Sequence, residues 1–86
     1  METRQLSTMN WMQVESYLRS DDRLMLILGA CEQHGYLSLL TDVQIPETIA
    51  QAASERTGVL VAPSVPFGYS PFFAAYPGTI SLRIAT

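Results

Sequence analysis

The stretch Leu24-Met25-Leu26-Ile27-Leu28-Gly29-Ala30-Cys31-Glu32-Gln33-His34-Gly35 decides the reading of the chain. It begins as an unbroken apolar run and stops on a carboxylate and the chain's single histidine. A run of this length, bounded by charges before it and glycine after it, predicts a strand over Arg23–Ala30 buried on both faces, as in a parallel sheet. Ligands gather at the carboxyl ends of such strands, so Glu32, His34 and the following Asp42 are the first candidates for a site. Glu32 and His34 are two residues apart and share a side if the chain stays extended.

Working outward, Asn10 followed by Gln13 has the form of a capping box, and a helix is expected to start at Trp11. Trp11, Val14, Tyr17 and Leu18 fall at helical spacing and predict an apolar stripe. Ser20-Asp21-Asp22 ends that helix. Beyond Gly35, Tyr36–Leu40 has no clear period and reads as a loop packed over the strand ends. A second helix is expected from Thr41-Asp42, with Pro46 near its first turn and Ile45, Ile49, Ala52 and Ala53 on its buried face. Thr57-Gly58 stops it, glycine supplying a left-handed conformation. Val59–Ala62 predicts a second buried strand, and strand, helix, strand in this order implies a right-handed crossover between parallel strands. The unit is βαβ. Pro63–Pro77 is a long structured loop, Pro77-Gly78 a turn, and Thr79–Ile84 alternates with period two, which describes a further strand with one apolar face.

Eighty-six residues make a single domain, 1–86, with a small core. Nearly half the residues are apolar (48%) and 15% are charged, which excludes a disordered chain and predicts exposed apolar patches. Homo-oligomerisation, or association with further polypeptide, is therefore expected. The net charge of −3 has no basic cluster within it, which argues against nucleic acid as a partner. The apolar runs are far too short to span a membrane, and Met1–Asn10 has no leader pattern. A single cysteine excludes an internal disulfide framework; with the other features it points to the cytoplasm.

Four blocks, Glu32-Gln33-His34-Gly35, Thr41-Asp42, Phe67-Gly68-Tyr69-Ser70 and Tyr76-Pro77-Gly78-Thr79-Ile80-Ser81-Leu82, resemble in order and spacing the N-terminal part of the creatininase (creatinine amidohydrolase) family. The resemblance implies a partial creatininase-like α/β layered fold, with an N-terminal helix and an added C-terminal strand beside the βαβ unit. It also implies hydrolysis of a cyclic or linear amide, small molecule or peptide, at a centre of two zinc or manganese ions. Carried over by position, Glu32 binds one ion, His34 the other, and Asp42 bridges them. The family's remaining histidine and glutamate ligands belong to a later segment, so these residues correspond to part of a dinuclear site and to a shortened form or fragment. A non-catalytic interaction module on the same scaffold is the alternative.

Several residues keep two readings at this point. Cys31 is better read as a small buried thiol than as a zinc ligand. Asp42 is either a cap of the second helix or a metal ligand. Tyr69 and Ser70 divide evenly between substrate contact and loop packing.

Overall fold

The computed structural model describes residues 4–85. Helix α1 spans Trp11–Leu18, and the capping box forms: the Asn10 side chain accepts from the Gln13 amide at 3.0 Å, and the Gln13 side chain accepts from the Asn10 amide at 2.9 Å. Strand β1 is Leu24–Met25, helix α2 Thr41–Thr57 and strand β2 Leu60–Val61. The two strands are parallel, with Leu24 opposite Leu60 and Met25 opposite Val61, so the expected βαβ unit is present. Gly58 ends α2 in the left-handed region at φ 72°.

The strands are shorter than the apolar runs, and proline explains why. Beyond Met25, pairing resumes as an isolated bridge of Leu28 with Val65. The partners are 36 residues apart at Leu24–Leu60 and 37 apart at Leu28–Val65 (60 less 24, 65 less 28), so one residue is inserted in the second strand. The insertion falls around Pro63, which has no amide hydrogen to donate to the ladder. Bonds from Ala62 N–H to Met25 O and from Val65 N–H to Ile27 O, both 2.9 Å, carry the pairing across the gap.

The core lies between β1, β2 and α2. Ile27, Ala50 and Val61 form its centre with Met25 packed against them, and Val61 is only 1% exposed. The expectation that the first strand is buried on both faces is corrected. Leu24, Leu26 and Leu28 are 53, 60 and 66% exposed, because the alternating side chains face a covering layer on one side only. β2 fares better: Arg4 and Gln5 run parallel along its second edge, with Val61 N–H donating to Arg4 O at 2.8 Å. Its residues are buried on both faces.

The buried face of α2 is also corrected. Val43, Ala50 and Ser54 point inward, while Ile45, Ile49 and Ala52 lie on the exposed surface and Ala53 between. On α1 only Tyr17 is buried; Trp11 and Leu18 are exposed and Val14 half-buried. Only the far part of Tyr36–Leu40 packs back on the chain: Tyr36 is fully exposed and Leu37 largely so, while Leu39 accepts the Glu32 amide and lies against Gly78. Thr79–Ile84 forms no continuous strand and is tied in by two bridges, Ile80 with Cys31 and Ser81 with Gly68. The chain measures 47 × 29 × 17 Å with a radius of gyration of 15.5 Å, against about 12 Å for a compact chain of this length. It is a thin slab.

Buried polar groups knit the slab together. The Tyr17 hydroxyl donates to Arg23 O at 2.6 Å and accepts from Leu60 N–H at 3.1 Å, joining the start of β1 to β2. The fully buried Ser54 hydroxyl donates to Val59 O at 2.8 Å and accepts from Arg4 N–H at 3.0 Å. At the exposed turn into β1, the Arg23 guanidinium and amide hold the Asp21 carboxyl well below the usual carboxylate range. Tyr17→Phe should leave two backbone groups without their partner and lower unfolding stability in urea by about 1–3 kcal/mol. An unchanged midpoint would mean that the hydroxyl does not join the strands.

Candidate metal centre

The site forms where β1 runs out. After Gly29 and Ala30 the chain leaves the sheet; Cys31 is bridged by Ile80, whose amide donates to Cys31 O at 3.0 Å. Glu32 N–H donates to Leu39 O at 3.0 Å, and Leu37 N–H to His34 O at 2.9 Å, so residues 34–37 close a tight turn. Gly35 sits in that turn at φ 58°, a conformation glycine adopts without steric cost, and its amide donates to Gln33 Oε1 at 3.0 Å.

The second wall is the first turn of α2. Ser38 prepares it, accepting from Leu40 N–H at 3.0 Å through its hydroxyl and from Thr41 Oγ1 at 2.6 Å through its carbonyl. Asp42 lies in this turn, where the helix dipole favours a negative charge. Its carboxylate makes no capping bond; the N-cap position is Leu40, and the capping reading of Asp42 gives way. Asp42 Oδ1 instead lies 3.4 Å from His34 Nε2, with both side chains partly buried.

Gly29 makes this approach possible, and sequence reasoning passed it over. A Cβ at residue 29 would stand 2.7 Å from Val43 Cγ2 and 2.8 Å from Asp42 O, distances real side chains do not tolerate. The available signal was a glycine closing an apolar strand just before polar residues, which marks a close approach of backbone.

His34 and Asp42 are thus brought together. The Glu32 carboxylate is not gathered with them: among the described residues no group of three or more His, Cys, Asp and Glu side chains is placed to hold a metal ion. Glu32 meets His34 through its backbone, its carbonyl lying 3.4 Å from Nδ1. The pair nevertheless fits a divalent ion. An imidazole nitrogen and a carboxylate oxygen are hard-to-borderline donors suited to zinc or manganese, and two donors on one tetrahedral zinc lie about 3.3 Å apart. If Nδ1–H faces the Glu32 carbonyl, the Nε2 lone pair is directed to the Asp42 side, the tautomer a ligand needs.

The other candidates have partners of their own. Cys31 is buried and its thiol donates to Gly78 O at 3.4 Å, a packing role. Ser70 is buried with its amide donating to Ser81 Oγ at 2.8 Å. The exposed Tyr69 lines a shallow cavity with Pro71, Ala74, Leu82 and Ile84.

Known proteins share this arrangement of elements. A model of the Creatininase family, described as creatinine amidohydrolase, matches residues 7–86. Creatinine amidohydrolase of Pseudomonas putida is 35% identical over 85 residues, covering 91% of this chain and 33% of that protein. A glutamate-to-glutamine variant of creatininase of Zn–Zn type superimposes with a TM-score of 0.83 at 32% identity, covering 95% of this chain and 34% of that one. A manganese creatininase gives 0.84 at 32% identity, with 95 and 35% covered. The chain therefore spans about a third of the length of the relatives it matches.

Gly29→Ala is expected to push the first turn of α2 off the end of β1, costing about 1–3 kcal/mol and lowering any affinity for zinc with it. Wild-type stability and wild-type zinc affinity in this variant would show that the close approach does not set the position of Asp42.

Proposed function

The chain belongs to the creatininase family, and from that premise we propose that it carries part of the metal centre of a metal-dependent amidohydrolase. In this reading His34, Asp42 and Glu32 would be this chain's donors to a pair of divalent ions, zinc or manganese, with Asp42 as the carboxylate shared between them. The 3.4 Å approach of His34 Nε2 to Asp42 Oδ1 at the carboxyl end of a parallel strand carries the proposal. Such ions would supply Lewis acidity toward an amide carbonyl and toward a bound water at neutral pH. His34 would supply a ring nitrogen, Asp42 would offset cationic charge from within the positive end of α2, and the turn at Gly35 keeps His34 at the strand end.

The substrate class is a small cyclic or linear amide or a peptide, with Tyr69 and Ser70 as the residues nearest in sequence terms to a substrate role. The Pseudomonas putida relative is named for creatinine. Among the described residues no helix is long and apolar enough to cross a membrane, and the free Cys31 suits a reducing cytoplasm. One histidine per chain leaves two ions short of donors, so turnover calls for ligands from another subunit or from further polypeptide.

A second reading has its own support. The exposed Leu24, Leu26, Leu28, Ile45 and Ile49 suit a non-catalytic module that associates with itself or with other polypeptide through this scaffold. Sedimentation at micromolar concentration is expected to show a dimer or larger species, and a stable monomer would remove that reading.

Titration of the 86-residue chain with zinc or manganese is expected to show weak binding that falls at least tenfold in His34→Ala. The metal-loaded chain alone should hydrolyse no amide appreciably. Binding indifferent to His34→Ala would remove His34 from the site, and brisk hydrolysis by the isolated chain would show that the donor count is wrong.

A further inference from the structure

His34 is held by its backbone rather than by its ring. The ring's two polar approaches, to Glu32 O and to Asp42 Oδ1, are both long at 3.4 Å. The residues on either side of it are fastened more closely. Gly35 N–H is bound by the Gln33 side chain at 3.0 Å, and Gln33 N–H donates to the Thr79 hydroxyl at 3.2 Å. Residues 78–80 grip the same arm twice more, Gly78 O accepting from the Cys31 thiol and Ile80 N–H donating to Cys31 O. The turn itself is shaped for this: Gly78 has φ 89°, and a Cβ there would stand 2.6 Å from Leu39 Cδ1. Leu39 O in turn receives the Glu32 amide.

We propose that Thr79 is a positioning residue for the His34 ligand, its hydroxyl anchoring the Gln33 amide and so fixing where the imidazole meets Asp42. Of the three contacts from the 78–80 turn, this is the one made by a side-chain hydroxyl and the one next to His34, so substitution can remove it selectively. The inference rests on the reading of His34 as a metal ligand and adds a residue to it that touches neither the ion nor a substrate.

The test compares Thr79→Val, which keeps the branched shape without the hydroxyl, with Thr79→Ser, which keeps the hydroxyl. Two quantities are read in the 86-residue chain: hydrogen exchange of the Gln33 amide by NMR, and zinc affinity by titration with His34→Ala alongside. In Thr79→Val the Gln33 amide should exchange about tenfold faster and zinc should bind about tenfold more weakly, while amides in the middle of α2 exchange as in wild type. Thr79→Ser should restore both. Wild-type Gln33 exchange in Thr79→Val overturns the inference, and so does wild-type zinc affinity there while His34→Ala abolishes binding. Zinc binding that His34→Ala leaves intact overturns the metal-centre reading and this inference with it, so the two failures are told apart by the histidine variant.

Discussion

The absence of a side chain at Gly29 is the constraint on which the rest depends. The first turn of α2 comes down on the end of β1 to a distance at which any Cβ would collide with Asp42 O and Val43. That approach seats Val43 in the buried core and brings the Asp42 carboxylate to the turn that carries His34. From there α2 runs back so that Ala50 meets Ile27 and Val61, small against large, and Ser54 reaches Val59 and Arg4 with its hydroxyl. Core and candidate site are two ends of one contact.

Local signals in the sequence are reliable here where the chemistry they report is itself local. Asn10 with Gln13, Gly58 after Thr57, and the two apolar runs each specify a cap, a stop or a strand through near neighbours, and each is found. The facing of α2 is another matter. Its sequence carries two interleaved stripes, Ile45–Ile49–Ala52 and Val43–Ala50–Ser54, and hydrophobicity favours the first. Close packing against the sheet favours the second, because small side chains let the helix approach and a buried serine can satisfy backbone groups at the strand end. The alternation over Thr79–Ile84 describes a strand, but a strand also needs a partner edge, and residues 78–80 grip the Cys31–Gln33 arm at single points.

The candidate centre was legible to a similar degree. His34 and Asp42 are found together because a strand end and a helix start meet there, which the βαβ order predicts. The Glu32 carboxylate stands outside the group, since the chain turns after leaving the sheet and Glu32 engages Leu39 and His34 through backbone groups. Gly29 and Thr79 were legible only as residue types, a glycine after a strand and a threonine after a turn. Their roles depend on what the fold sets opposite them.

The slab is one layer of helix over a short sheet, with Leu24, Leu26 and Leu28 uncovered on the other side, and it superimposes on proteins about three times as long. His34 and Asp42 are proposed as a two-donor portion of a metal centre. Zinc K-edge absorption on the chain loaded with one equivalent tests it most directly. The expected spectrum has a first shell of nitrogen and oxygen at about 2.0–2.1 Å, with the outer-shell scattering of one imidazole. A spectrum without imidazole, or with sulfur at about 2.3 Å from Cys31, would contradict it.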